Sequence, residues 1–494
     1  MVTESSLGEA LRQPDVLSRP LCVALDGALL TTRVSWERVA LLFRQRPWLA
    51  LVLPFWLLGG AKSLKRRVKG RVELAPASLP YRSWLLAELT SCRAAGRKLV
   101  LVTTTDTALA ESVAAHVSLF DAVYASDGSA VPAEPSLSAA LTAAFPDGFD
   151  YIGQSDDTAL LAAATRSYLV GASSDALGAA RSTAPVVVVS RRPSILRALV
   201  AELRLHQWAK NALVVLPVLL APTTPSVATL ARAVLAAFTV SLCASAGYVF
   251  NDLLDLEADR VHPAKSKRPF ASGALPIIAG FPLFFALLAL SFSLAVVCLP
   301  TAFVAMLGLY FVGTLSYSLY LKRLMLIDVL VLAGLYTHRI LSGGIATDVR
   351  VSAWLLGFSM FLFTSLAFAK RFVELHALSS DERVKNRGYF RVDLPMVTSM
   401  GTASGYIAAL VFMLYVDSSA VRTAYREPSL LWLVLPALLY WLGRIWLLAG
   451  RGKMQEDPVK FALRDRSSLA CVAIIGLIAV TARFTPAWLV AVFH

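Results

Sequence analysis

The sequence predicts an amino-terminal α/β domain followed by an all-α polytopic membrane domain of about nine transmembrane helices. Three observations carry that expectation. Apolar residues fill 57% of the 494 positions, charged residues only 16%, and the mean hydropathy is +0.63. Soluble chains of this length seldom reach such values. The apolar residues gather after about residue 208 into runs near 20 residues, long enough to cross about 30 Å of hydrocarbon. Before that point the apolar runs are short and the polar spacing is ordinary.

The first region is taken in chain order. Residues 19–31, RPLCVALDGALLT, read as an apolar strand ending at Asp26-Gly27. Lys98–Val102 reads as a second strand, leading into Thr103, Thr104, Thr105 and Asp106. Phe149–Gly153 reads as a third. Helical stretches between them predict a parallel sheet. Segment 33–90 reads as a helical cap. Its Pro47–Gly60 run is apolar but too short to span, so it belongs on a membrane surface or in the cap core. The polar start, MVTESSLGEALRQPDV, gives no expectation of a cleavable signal peptide. The expected domains are residues 1–190, a linker over 191–207, and the membrane part over 208–494.

Spans are expected near 209–222, 228–250, 276–298, 301–320, 326–344, 352–369, 396–416, 429–449 and 468–492. Loops 251–275, 321–325, 370–395 and 450–467 are rich in Lys and Arg, whereas the opposite turns hold only Arg350, Arg422 and Arg426. The positive-inside rule then predicts an integral protein of the cytoplasmic (inner) membrane. The amino-terminal domain and the four basic loops face the cytoplasm, and the C-terminus lies outside.

The net charge is +14. The basic residues sit largely in loops between spans, which fits topology control and anionic partners such as phosphates and membrane lipids, and predicts no nucleic-acid binding. The five cysteines are scattered, with no CxxC and no metal spacing. Arg339, Arg444 and Arg483 fall within expected spans, with no mid-span acid to pair with them and no internal repeat. That pattern argues against a transporter. An unpaired charge in a span is costly, which marks Arg339 as a functional candidate.

The acidic residues concentrate where the second expected span leaves the membrane: Asn251-Asp252-Leu253-Leu254-Asp255-Leu256-Glu257-Ala258-Asp259-Arg260. On a continuous helix Asn251, Asp255 and Asp259 share one face, with Asp252 displaced around it. Clustered carboxylates repel unless a cation intervenes. Oxygen ligands without His or Cys suit Mg²⁺, which bridges to substrate phosphates. The other reading of the residues alone is a solvated acidic loop balanced by Lys265, Lys267 and Arg268.

The string NDLLDLEADR resembles the NDxxDxxxD signature of the UbiA superfamily, and the resemblance covers about residues 200–494. It implies an all-helical membrane transferase that ionises a diphosphate donor with Mg²⁺. Further segments are similar to the branch that makes polyprenyl-phosphoryl ribose from phosphoribosyl diphosphate. They are Arg204 to Asn211, Asp259 to Pro263 with Lys267-Arg268-Pro269, Tyr317 to Lys322, Asp328, Arg339 with Gly343-Gly344, and Lys370-Arg371 with Glu374. The resemblance implies metal binding by Asn251, Asp252, Asp255 and Asp259. It implies catalytic roles for Asp255, Asp259 and Asp328. It implies substrate binding by Lys210, Asn211, Arg260, Lys267, Arg268, Lys322, Arg339, Lys370 and Arg371. The partners expected are a diphosphate donor and a polyprenyl lipid. The alternative reaction is polyprenyl transfer to an aromatic acceptor such as 4-hydroxybenzoate. One departure stands out. Where many members carry a second DxxxD motif, Leu324 stands four residues before the single Asp328.

Residues 15–190 resemble the haloacid dehalogenase-like phosphatases, with the catalytic motifs degraded. Ala24 occupies the nucleophile's place in Ala24-Leu25-Asp26-Gly27. No Lys occurs between Lys98 and Lys210 to follow the Ser126-Asp127-Gly128 turn. The final acidic motif reads Gly153-Gln154-Ser155-Asp156-Asp157-Thr158. The resemblance therefore implies an inactive domain, since alanine cannot be phosphorylated.

Overall fold

The computed structural model describes residues 14–46, 71–125, 136–154, 157–172, 186–191, 194–221, 224–378, 387–454 and 457–484, with Leu11, Leu49, Val52, Trp56, Arg67 and Val68. Most of the Pro47–Gly60 run, the Ser126-Asp127-Gly128 turn, Ser155, Asp156, Arg383, Lys385 and the expected span beyond Phe484 lie outside the described residues. The chain forms two compact units. One joins Met1–Leu203 to Tyr248–Phe285, and the other joins Arg204–Gly247 to Ala286–His494.

The first unit is built on six parallel strands: β1 (Leu21–Ala24), β2 (Leu99–Thr103), β3 (Ala122–Ala125), β4 (Asp150–Gly153), β5 (Arg166–Ala172) and β6 (Val186–Arg191), in the order β3-β2-β1-β4-β5-β6. Strands β1, β2 and β4 match the three expected segments. Strand β3 is short and half-buried, so it lacks the apolar run that marks a central strand. Alternation sorts the side chains onto two faces. Leu21, Val23, Leu99, Leu101, Ile152 and Val170 enter one core. Cys22, Ala24, Val100, Val102, Tyr151 and Leu169 enter the other. Helices α1 (Val34–Gln45), α2 (Ser83–Ala94), α3 (Thr107–Val117) and α4 (Leu137–Ala144) complete the layers. One ion pair lies inside. Arg97 Nη2 donates to Asp150 Oδ2 at 2.5 Å, with both side chains fully buried. Burial pushes the Asp150 carboxyl up, and Arg97 and Arg19 pull it back. A buried charge of this kind persists because it is paired.

Among the described residues eight helices are long and apolar enough to cross a membrane, one fewer than about nine. They are built on α5 (Val227–Leu254), which is followed by the short α6 (Leu256–Val261), then α7 (Ile277–Cys298), α8 (Thr301–Leu319), α9 (Ile327–Thr347), α10 (Ala353–His376), α11 (Leu394–Val416), α12 (Val434–Gly450) and α13 (Arg466–Phe484). The difference lies at 209–222. That segment is a 3₁₀ stretch, Leu205–Val214, followed by a five-residue helix, Leu216–Leu220. Pro217 removes a backbone donor, and Asn211 is drawn into side-chain bonds. At about 2.0 Å per residue in 3₁₀ and 1.5 Å in α form, the two pieces reach about 28 Å, close to a bilayer core without being one long helix. The stretch packs tightly on α9. A Cβ on Gly343 would lie 1.8 Å from the Val214 carbonyl oxygen, so only glycine fits there. The expected linker 191–207 contains a helix, Ile195–Glu202, capped by the Ser194 hydroxyl.

Helix α5 has 28 residues, about 42 Å at 1.5 Å per residue. This exceeds a hydrocarbon thickness of about 30 Å, and Asn251 and Asp252 lie in its final turn.

Candidate active site

The acidic segment lies wholly in the first unit. Helix α5 ends at Leu254, Asp255 leaves helical geometry (φ −93°, ψ 12°), and α6 starts at Leu256. The hydrogen-bond ladder nevertheless carries across the break. Asp255 N donates to Asn251 O at 2.8 Å, and Asp259 N donates to Asp255 O at 2.9 Å. The expected continuous helix is therefore a bent one.

The bend changes which carboxylates act together. Asp252 and Asp259 are both buried and meet the same cation. Arg268 Nη1 donates to Asp252 Oδ1 at 3.0 Å and to Asp259 Oδ2 at 2.5 Å. Seven residues separate the two acids, close to two helical turns, so they point the same way. The expectation counted Asp252 among the metal ligands but placed it off the face shared by Asn251, Asp255 and Asp259; its spacing of seven from Asp259 is what the structure adds. Asn251 and Asp255 are half-buried beside the pair. Burial pushes the Asp259 carboxyl up from its ordinary value, Arg268 pulls it down, and Asp252 pushes it up again. The pair is thus a carboxylate cradle already closed on a positive charge. Its donors are all oxygen, the set that hard divalent cations take, although among the described residues no three acidic or His/Cys groups converge in metal-binding geometry. Lys267 is exposed on the following loop. Arg260 is turned elsewhere: it donates to Glu37 through both terminal nitrogens, at 2.8 and 2.7 Å.

The second unit holds the remaining expected residues. Asp328 is fully buried in the first turn of α9. Tyr389 Oη donates to its Oδ1 at 2.7 Å, and Arg371 Nε lies 2.9 Å from its Oδ2. Arg387 adds a contact at 3.7 Å. Burial, and then the bond to Asp328, push the Tyr389 hydroxyl up. The preceding Leu326 takes a positive φ of 65°, rare outside glycine, and its amide is held by Tyr389 Oη at 2.8 Å. Arg371 also pairs with Glu374. Lys322 sits in a 3₁₀ turn whose carbonyl accepts from Arg387 at 3.2 Å.

Arg339 and Asn211 serve each other. Arg339 Nε donates to Asn211 Oδ1 at 2.8 Å and its Nη2 to Tyr310 Oη at 2.9 Å, while the guanidinium lies over the Tyr310 and Tyr336 rings. Asn211 Nδ2 in turn donates to Ser241 Oγ at 2.9 Å. Arg339, expected to be costly within a span, has partners in this structure. Neutral oxygens and aromatic faces satisfy it without an acid. Arg444 likewise pairs with Asp465, at 2.5 and 3.0 Å. Lys210 and Lys370 share one carboxylate, Asp457 Oδ2, at 3.1 and 3.4 Å. Burial alone would raise Asp457, but the two lysines and backbone donors hold it well below the usual carboxylate range. The sequence reading missed Asp457. The Asp457-Pro458 pair is a helix N-cap signal inside a basic loop, and it marks the residue.

The carboxyl ends of β1, β2 and β4 form the crevice where open parallel sheets bind ligands. Here it is filled. Asp26 Oδ1 accepts from Val34 N at 2.6 Å, and Asp26 Oδ2 from Thr105 Oγ1 at 3.3 Å. Asp106 caps α3 and pairs with Arg38. The Gln154 amide lies over Gly27, where a Cβ would approach it to 2.0 Å, and Gly27 has φ +75°. Tyr151 Oη donates to Asp157 at 2.6 Å.

Comparison with known proteins bears on the helical part first. Residues 212–469, more than half of the chain, match the UbiA prenyltransferase family. The chain belongs to that family. A protein of Sinorhizobium fredii, the uncharacterised y4nM, is 32% identical over 464 residues, 92% of this chain and 90% of that protein. The match runs across both parts of the chain. The nodulation protein NoeC of Azorhizobium caulinodans is 34% identical over 276 residues, 56% of this chain and 89% of NoeC. The decaprenyl-phosphate phosphoribosyltransferase of Mycobacterium tuberculosis is 28% identical over 299 residues, 58% of this chain and 97% of that enzyme. This UbiA protein is thus a multi-pass membrane transferase.

Proposed function

We propose that this UbiA protein transfers phosphoribose from phosphoribosyl diphosphate to a polyprenyl phosphate at the cytoplasmic face of the inner membrane. The observation that carries the reading is the convergence of Asp252 and Asp259 on one cationic group where α5 leaves the bilayer. Similarity to decaprenyl-phosphate phosphoribosyltransferases supports the choice of branch.

The chemistry follows from charge. Diphosphate leaves only when its negative charge is offset. The oxygen set of Asn251, Asp252, Asp255 and Asp259 suits Mg²⁺, which when bound offsets part of that charge. Arg268 holds Asp252 and Asp259 in place before substrate arrives and is itself a donor for phosphate oxygens. Exposed Lys267 adds a second positive group on the same loop. Departure of diphosphate leaves an oxocarbenium-like ribosyl centre, which the acceptor phosphate oxygen attacks.

In the second unit Asp457 fixes the ammonium groups of Lys210 and Lys370 as a pair with a net positive charge, a phosphate-binding arrangement. Asp328 acts as a positioning residue, because it is fully buried, its Oδ1 accepts from Tyr389 and its Oδ2 lies in an ion pair with Arg371. It aims Arg371. The amino-terminal domain is a cytoplasmic, haloacid dehalogenase-like remnant without phosphatase activity. Its crevice is filled by Gln154, and Ala24 stands where a nucleophile is needed.

The test offers purified protein in vesicles radiolabelled phosphoribosyl diphosphate and, separately, labelled geranylgeranyl diphosphate, each with Mg²⁺ and lipid extract. Label entering lipid from the ribosyl donor alone supports the reading. Label transferred only from the prenyl donor to an aromatic acceptor replaces it with prenyl transfer.

A further inference from the structure

The compact unit that contains the α/β domain also contains the acidic segment, and the contacts within it are specific. Glu37 on α1 is 5% exposed and takes both terminal nitrogens of Arg260, the residue after Asp259, at 2.8 and 2.7 Å. Thr32 Oγ1 donates to the same Glu37 carboxylate. One turn and a half further along α1, Phe43 sets its ring edge-on to Phe250 at 5.2 Å and to Phe281 at 5.4 Å. Arg44 pairs with Glu257 on α6. Thr31 abuts Gly273, where a Cβ would come within 2.8 Å of the Thr31 Cβ. A single helix of the soluble domain thus grips α5, α6 and α7 around the break at Asp255.

We propose that the amino-terminal domain is a positioning module for the acidic site, with the Glu37–Arg260 pair fixing the direction of α6 and so the distance of Asp259 from Asp252. The proposal rests on the acidic segment being the reactive site. The physical argument starts from the break. A helix interrupted at Asp255 leaves a six-residue piece, α6, too short to hold its own geometry. Something outside must fix it. The bidentate Glu37–Arg260 pair does so, because a planar guanidinium on a carboxylate sets direction as well as distance. The aromatic edge contacts of Phe43 anchor the other side of the break. The domain's filled crevice agrees: its chemistry is gone, while the surface that faces the acidic segment is elaborate. Glu37 and Arg260 touch no substrate in this account.

The test uses the full chain in lipid nanodiscs. Glu37→Gln keeps the shape and removes the charge. The double variant Glu37→Arg with Arg260→Glu restores a pair with reversed polarity. Two readouts run together. The first is transfer, as kcat and KM for the diphosphate donor and the Mg²⁺ concentration giving half the maximal rate. The second is the rate of tryptic cleavage after Lys265 and Lys267, which needs no turnover. Glu37→Gln should raise the half-saturating Mg²⁺ and lower kcat/KM about tenfold to 100-fold, the scale of an ångström's misplacement. It should also expose the loop to faster cleavage, and the double variant should recover both. Glu37→Gln with wild-type cleavage and wild-type Mg²⁺ dependence overturns the proposal, as does a double variant no better than the single one. If wild-type protein transfers nothing from any diphosphate donor, the reading of the reaction falls, and the cleavage arm still decides the clamp.

Discussion

Two clusters of carboxylates in this protein look alike as sequence and differ in what holds them. In the crevice of the sheet, Asp26, Asp106 and Asp157 are each bound by backbone amides, hydroxyls or an arginine of their own domain. At the end of α5, Asp252 and Asp259 instead point together at one shared guanidinium, with Asn251 and Asp255 half-exposed beside them. The first arrangement gives each of these acids its own partners. The second brings two carboxylates onto one cationic group. An acidic residue's role is read from whether its partners are dispersed or converge, more than from the motif it sits in.

The sharpest way to break this contrast is at the acidic segment. Asp259→Asn, at one of the converging acids, and Asp255→Asn, beside them, should each lower transfer about 100- to 1,000-fold, as loss of one preorganised charge-stabilising group does, with expression and membrane insertion unchanged. Label-transfer assays and blotting of the membrane fraction check both halves. Next comes the ion pair beneath the crevice. Arg97→Ala leaves buried Asp150 with only the looser Arg19 contact at 3.8 Å, and should destabilise the folded domain by about 3 kcal/mol, read as a lower melting midpoint in detergent.

Gly343→Ala forces a methyl against the Val214 carbonyl. It should cost about 1–3 kcal/mol, the usual range for overpacking, and lower the melting temperature of the membrane part. The smallest effect belongs to the crevice itself. Asp26→Asn keeps an oxygen for the Val34 amide, so transfer should stay at the wild-type rate, and neither protein should hydrolyse a phosphomonoester such as p-nitrophenyl phosphate. Wild-type hydrolysis abolished by Asp26→Asn would erase the contrast between the two regions.

How much of this was legible in the sequence depends on the range of the interaction. The long apolar helices α7 to α12 follow from composition alone, because lipid demands it. Strands β1, β2 and β4 follow from apolar runs buried on both faces. The acidic segment is recognisable because Asn251, Asp255 and Asp259 recur at helical spacing. What could not be read is where each cation goes. Arg339 looked costly in a span, yet Asn211 and Tyr310, far away in sequence, satisfy it. Arg260 was read as a substrate-binding residue, and its pairing with Glu37, 223 positions earlier, was not visible in the sequence. The segment 209–222 was read as a span from its apolar content, and Asn211 with Pro217 turns it into two short pieces. These are non-local pairings, and nothing in a local window encodes them.

The account stands most directly on whether Asp252 and Asp259 together select a divalent cation. Mn²⁺, a spin-active substitute for Mg²⁺, can be titrated into purified protein with pyrophosphate present and followed by electron paramagnetic resonance. The wild-type chain should bind it with a distinct protein-bound spectrum that disappears in the Asp252→Asn, Asp259→Asn double variant. An unchanged spectrum and affinity in the double variant would contradict the account.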